Sequence, residues 1–302
     1  MKKNNVIYIL NPLANEGNAR KQWTSIQKKF HLPKDPLDIT KIDNLTEFIA
    51  AEKPTVIAIA GGDGTVNSVS KALLPLKEKP SLLVMPLGFG NALTYCFGTE
   101  TPEKAVYTLR NRPQEVTVDI IKTSIPELPV GIFTMGVGFD GQIVHTRMYH
   151  RYIGLRSYIL STIQSYLTHV PKRFTIVIDK KVTFTAHATA LIIANAPTIG
   201  RNVILSEDAK MNDGLLNCTL FSSRYAYLAN LRIRGFKHPL YSEQNKVYFQ
   251  ARHIQITGEQ FAQVDGDPAV LTNPLEIEIA KKQITFVTNK PENILLPALP
   301  FV

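Results

Sequence analysis

The sequence predicts two domains, an N-terminal doubly wound α/β domain and a C-terminal antiparallel β-sandwich. Three observations carry this prediction. The chain has 302 residues, more than one hydrophobic core ordinarily serves and comfortable for two. In its first part, continuous apolar runs alternate with segments at helical spacing, the pattern of parallel strands covered by helices on both faces. After about Asp119 a period of two takes over, the mark of strands with one buried face. The first domain is therefore expected at 1–122 and the second at 123–287.

The elements follow in order. Val6 to Leu10 is an apolar run that ends at Asn11-Pro12, and it reads as a first strand. Met1-Lys2-Lys3 before it imitates a signal peptide, but the run is too short and no small-residue cleavage site follows. Asn18 to Phe30 places Trp23, Ile26 and Phe30 on one helical face. Thr55 to Ala60 and Ser81 to Met85 are unbroken apolar runs, as in strands buried on both sides, with helical spacing over Val66 to Leu74 between them. Tyr149 to Thr168 is expected to be helical. Alternation then marks strands at Phe174 to Asp179, Val182 to Ala186, Leu215 to Phe221, His253 to Thr257 and Leu275 to Ile279, with Asn212-Asp213-Gly214 as a turn.

Composition narrows the class. Hydrophobic residues at 44% and charged residues at 20% exclude a disordered chain. No run approaches the about 20 apolar residues a spanning helix needs. Two cysteines, without metal-ligand spacing, fit a reducing cytosol. A formal net charge of +9 points to an anionic partner, either an acidic membrane surface or a phosphorylated substrate; a merely basic surface is the plain alternative. The basic clusters (Lys28-Lys29, Lys172-Arg173, Arg232-Ile233-Arg234) are short, so a nucleic-acid partner is not expected.

Gly61-Gly62-Asp63-Gly64-Thr65 sits between a buried strand and a helix. Glycines remove the Cβ atoms that would hold a phosphate away from backbone amides, and the next helix offers free N–H groups and its positive dipole end. Thr65 suits an N-cap or a hydroxyl facing phosphate. Asp63 would repel phosphate unless a cation lay between them, which implies Mg²⁺. A glycine-rich turn with an Asx cap is the alternative. The spacing is neither that of a Walker loop nor that of the dinucleotide fingerprint.

This turn resembles the GGDGT signature shared by diacylglycerol, sphingosine and NAD kinases. Tyr8 to Pro12, with Gly17 after it, is similar to the first strand and turn of the lipid kinases, and the resemblance puts Asn11 near the nucleotide. Met85 to Leu93 is similar to their second glycine loop, with Gly88, Gly90 and Asn91 as nucleotide contacts. Val116 to Ile120 resembles a motif whose aspartate, here Asp119, joins a catalytic Mg²⁺ network with Asp63. Ala194-Asn195 and Ala209 to Leu215 resemble the C-terminal signature of bacterial diacylglycerol kinases. That signature implies a structural Mg²⁺ site at Asp213 and the carbonyls of Lys210 and Leu215; a hairpin without metal fits the same residues.

Val264-Asp265-Gly266-Asp267 resembles the family's Asp-Gly-Glu. It makes Asp265 the candidate base for a lipid hydroxyl attacking the γ-phosphorus, with Asp267 in support. A turn carrying two carboxylates between strands would show the same spacing. Arg151 is a candidate phosphate contact, and the C-terminal segment 288–302 is expected to return to the first domain. The resemblance as a whole implies an ATP- and Mg²⁺-dependent lipid kinase of phospholipid metabolism, cytoplasmic and peripherally visiting a membrane, and it allows a homodimer.

The sequence departs from the family in three places. Phe89 and Ala92 stand where bacterial diacylglycerol kinases carry Thr and Asp, although sphingosine kinases also have Ala at the second. Ser68 replaces a Glu, and Phe139 is not followed by the acidic pair of the sphingosine branch. Two other functions therefore stay open: an NAD kinase, which shares the first loop, and a weakly catalytic regulator that binds nucleotide or lipid.

Overall fold

In the computed structural model of the chain, the described residues are 5–32, 36–111, 114–150, 156–200, 203–204, 206, 208–233, 245–258, 261–271 and 274–290. They form two units, one running to residue 118 and including 282–290, the other spanning 119–281.

The first unit runs β1 (Val6–Leu10), α1 (Ala19–Phe30), β2 (Leu37–Asp38), α2 (Leu45–Glu52), β3 (Val56–Gly61), α3 (Asp63–Leu73), β4 (Ser81–Pro86), α4 (Ala92–Phe97), α5 (Pro102–Arg110) and into β5 (Gln114–Thr123). Strands β2, β1, β3 and β4 lie side by side and parallel, with Tyr8 opposite Ala58 and Ala60 opposite Met85. Every residue of β3 is buried, which explains its unbroken apolar run. Trp23 and Ile26 of α1 pack with Tyr8, Leu10, Ala58 and Leu83. The chain returns to this unit late. Phe286 pairs beside Leu82 and stacks on Phe97 at 4.4 Å, while Asn289 binds the backbone of Phe97 and Gly98.

The second unit adds β6 (Val130–Gly131), β7 (Thr134–Gly138), α6 (Phe139–His150), α7 (Arg156–Thr168), β8 (Lys172–Ile178), β9 (Val182–Ala188), β10 (Ala190–Ala194), β11 (Thr198–Gly200), β12 (Val203–Ile204), β13 (Leu216–Phe221), α8 (Arg224–Asn230), β14 (Arg232–Ile233), β15 (Lys246–Ala251), β16 (His253–Thr257), β17 (Phe261–Val264), β18 (Asp267–Val270) and β19 (Leu275–Thr288). One antiparallel layer is β19-β16-β8-β9; the other is β15-β13-β10-β7-β17-β18. Phe174, Ile176, Ile254 and Ile277 from the first share a core with Met135, Val137, Leu191, Ile193 and Cys218 from the second. This is the predicted sandwich.

Four details differ from expectation. The helix after the first glycine turn starts at Asp63 rather than Val66. Helix α6 begins at Phe139, before the helical stretch expected from Tyr149 and directly after Gly138 turns the strand with φ 84°, and α7 lies within that stretch. Strand β10 escapes a period-two reading because Phe139, Ile143 and Tyr227 cover its outer face, so both sides are buried. Strand β19 continues nine residues past Ile279, to Thr288. Among the described residues no helix is long and apolar enough to cross a membrane.

Candidate functional site

The two glycine loops leave the carboxyl ends of adjacent parallel strands, where open α/β sheets hold ligands. Gly61 ends β3 opposite Pro86, the last residue of β4. The Gly61 carbonyl accepts the N–H groups of both Leu87 and Gly88, at 3.1 and 3.0 Å. The loops then meet backbone to backbone. A Cβ built on Gly88 would lie 2.1 Å from the Gly62 Cα, and one on Gly90 would lie 2.5 Å from Asp63 Oδ2. These glycines are required by the protein's own packing. Gly64 is different: it is exposed, and nothing lies within 4 Å of the position its Cβ would take. It opens the first turn of α3, whose N-cap Gly62 supplies no side-chain cap.

Asp63 holds the second loop. Its Oδ1 accepts the Ala92 N–H at 2.7 Å, at the start of α4. Burial pushes its carboxyl up to about 6, opposed by the backbone N–H groups of Ala92, Leu93 and Asn91. A carboxylate held at this cost beside an open helix N-terminus fits Mg²⁺, which takes one or two carboxylates and completes its shell with phosphate oxygens and water. The described residues contain no group of three or more His, Cys, Asp and Glu side chains placed to hold a metal by themselves.

Asn11 and Thr65 are brought together: Asn11 Nδ2 donates to Thr65 Oγ1 at 3.0 Å. Asn91, left-handed at φ 48°, closes its own loop. Its Nδ2 donates to the Gly88 carbonyl and its Oδ1 accepts the Gly88 N–H. Ser68 donates back to the Gly64 carbonyl. Phe89 at the tip of the second loop is exposed.

The remaining candidates lie in the second unit. Asp119 is buried, and its Oδ2 accepts the Gly214 N–H at 2.7 Å. Its backbone N–H donates to Met211, and its carbonyl accepts from Asn195 Nδ2, which also reaches the Ile132 carbonyl. The segment from Lys210 to Leu215 is thereby wrapped on Asp119. Asp213 is exposed and accepts the Leu215 N–H; burial of its surroundings raises its carboxyl, and the Asp119 charge adds to this. A turn carboxylate whose ionisation is made costlier by Asp119 is compatible with a cation there.

Asp265 sits at φ 53° in the turn between β17 and β18. Its carboxylate accepts N–H groups from Ile132, Phe133 and Thr134 at 2.6, 2.8 and 3.0 Å. Asp267 is exposed at the start of β18. Arg151 falls outside the described residues.

Sequence reasoning missed the setting of Asp140. This carboxyl is buried, accepts from the Tyr227 hydroxyl and from Gln263 Nε2, and is raised by burial. Its partners come from α8 and β17, far away in sequence, so no local signal marks them.

Residues 5–123 match the family model described as diacylglycerol kinase catalytic domain, and residues 134–288 match the YegS C-terminal NAD kinase beta sandwich-like domain. An uncharacterized Synechocystis protein, sll0036, is 26% identical over 302 residues, 91% of this chain and 68% of that one. A Staphylococcus aureus protein provisionally named a lipid kinase is 25% identical over 243 residues, 79% of this chain and 78% of its own. A diacylglycerol kinase structure from Bacillus anthracis shares the fold with TM-score 0.71 and 22% identity, over 96% of this chain and 98% of that one. An NAD kinase from Archaeoglobus fulgidus in complex with ATP shares it more distantly, with TM-score 0.51 and 14% identity, over 94% of each chain. With both domain models matched in order along its length, the chain belongs to the diacylglycerol kinase-like lipid kinase family.

Proposed function

We propose that this protein transfers the γ-phosphate of ATP to a lipid hydroxyl, of a diacylglycerol or a related lipid, in the cytoplasm at a membrane surface. The observation that carries the reading is the open side of Gly64, at the first turn of α3 and beside two loops packed glycine on glycine. The free N–H groups of that turn would receive phosphate oxygens. Asn11 and Thr65 would border the same turn, Gly61, Gly62, Gly88 and Gly90 would keep side chains out of it, and Asn91 would fix the second loop's shape.

Mg²⁺, when bound, would neutralise the phosphate charge that develops during transfer. Asp63 would hold it, with Asp119 in the wider network. Asp213 and the carbonyls of Lys210 and Leu215 would hold a second, structural ion. Asp265 would take the proton of the attacking hydroxyl, with Asp267 nearby at the start of β18; Arg151 would contact phosphate. The three backbone N–H groups on Asp265 support a fixed orientation for that carboxylate.

The test is a phosphorylation assay with purified protein, radiolabelled ATP, Mg²⁺ and a panel of lipids in mixed micelles, with NAD as a parallel acceptor. Label on a lipid is the expected outcome. Label on NAD alone would make the protein an NAD kinase. ATP binding without transfer to any acceptor would make it a regulator.

A further inference from the structure

Helix α7 is inside out. Its buried positions are Ser157, Ser161 and Ser165, spaced four apart. Its large apolar residues point away from the protein: Ile159 is 64% exposed, Ile163 54% and Leu167 76%, and Val170 just beyond the helix is 68% exposed. Tyr158, Leu160 and Tyr166 are exposed as well. Small residues let α7 lie close against α6, where Ser165 Oγ donates to Thr146 and Arg147 Nε donates to Ser157. None of the buried positions of α7 is a large apolar side chain, and half-exposed Tyr166 meets Phe139 of α6 edge-on at 6.5 Å. A helix that buries serines and presents isoleucine and leucine gains nothing in water from its outer face.

The segment that carries this face is charged on one sign only. From Gly141 to Ile178 the sequence holds no Asp or Glu but five Arg and Lys residues. Arg147 stacks over Tyr158 at 4.0 Å near the start of α7, and Arg224 stacks over Tyr166 at 4.9 Å near its end. Arg224 also donates to the Tyr166 and His169 carbonyls. Lys172 and Arg173 are exposed immediately after the helix. Basic side chains rimming an apolar helix face match the acyl boundary and the anionic headgroups of a bilayer. A second copy of the chain fits less well. A two-fold contact would bring like charges together, with no carboxylate in this segment to answer them.

We propose that the outer face of α7, with Lys172 and Arg173, docks on an anionic lipid bilayer. The inference rests on the lipid-kinase reading, because a lipid acceptor has to be reached at such a surface. It is tested without ATP, by sedimenting the full-length protein with phosphatidylcholine vesicles prepared with and without phosphatidylglycerol. Binding to the vesicles containing phosphatidylglycerol is expected, with weak binding to phosphatidylcholine alone. The double variant I159D/I163D should lose at least about tenfold in affinity. K172E/R173E should lose about tenfold, chiefly on the anionic vesicles. Unchanged circular dichroism and Tm would show that both variants fold.

Binding that is absent in the parent, or unaltered in either folded variant, overturns the proposal. So does a dimer seen by light scattering that I159D/I163D dissociates while no vesicle is bound. Phosphorylation of a water-soluble short-chain lipid without vesicle binding sinks the docking face alone. Vesicle binding with no lipid phosphorylated sinks the kinase reading alone.

Discussion

Asp265 and Thr134 are joined twice: the Asp265 N–H donates to the Thr134 carbonyl at 2.9 Å, and the Thr134 N–H donates to the Asp265 carboxylate at 3.0 Å. With the bonds from Ile132 and Phe133, this fastens the β17–β18 turn to the strand that starts at Thr134. The carboxylate is therefore an anchor as well as the proposed base.

The two roles separate in Asp265→Asn. An amide presents an N–H₂ group where a carboxylate oxygen accepted an N–H, so at least one charge-assisted bond is lost, at about 1.5–3 kcal/mol. Tm should fall, and turnover should drop at least about a hundredfold. ATP affinity should be unchanged in equilibrium binding. Near-normal turnover in the variant would remove Asp265 as the base while leaving its anchoring intact.

Gly64→Ala and Gly88→Ala should part company. At Gly64 the new methyl meets open space inside a helix, where Ala is favoured over Gly by up to about 1 kcal/mol, so Tm should hold or rise. ATP affinity should nevertheless fall about tenfold, because the methyl occupies the proposed phosphate position. At Gly88 the methyl collides with Gly62, and both Tm and ATP binding should fall. Calorimetric binding and thermal unfolding of the two variants decide this; unaltered ATP affinity in Gly64→Ala would move the phosphates elsewhere.

Asp63 gives a pH signature. With its carboxyl pushed up to about 6, it is protonated below that pH in the nucleotide-free protein, and a metal needs the ionised form. Mg²⁺-dependent ATP binding should weaken by about tenfold per unit as pH falls below about 6. Asp63→Asn can still accept the Ala92 N–H, so it should fold. Its residual binding should be weak and should lack this step.

His169 tests acid stability. Burial, with the nearby Arg224 cation, lowers it to about 4 from 6.5. Its Nδ1 faces Gln142 Oε1 at 2.7 Å. Between those two pH values the unfolded chain takes up a proton that the folded chain refuses, so stability is lost as pH falls. Asp63 and Asp140, raised by burial, act in the opposite sense, because the folded chain holds protons that the unfolded chain would release. Replacing His169 by Gln should shrink the loss of Tm between about pH 7 and about pH 4.5. An undiminished loss would assign the acid sensitivity to other groups.

The sequence by itself determined the fold class and the first glycine turn. Unbroken apolar runs mark β1, β3 and β4 as buried strands, and Gly61 to Thr65 is a contiguous motif that is legible without its distant partners. Only the tertiary structure decided the rest. That Gly88 is glycine because Gly62 lies against it, that Asp63 reaches the Ala92 N–H, and that Asp265 is bound by Ile132, Phe133 and Thr134 are long-range pairings with no local spacing to announce them. Helix α7 shows the same limit from the other side. Its periodicity is plain, but periodicity gives two faces without naming the buried one, and packing through Ser157, Ser161 and Ser165 turned the apolar face outward.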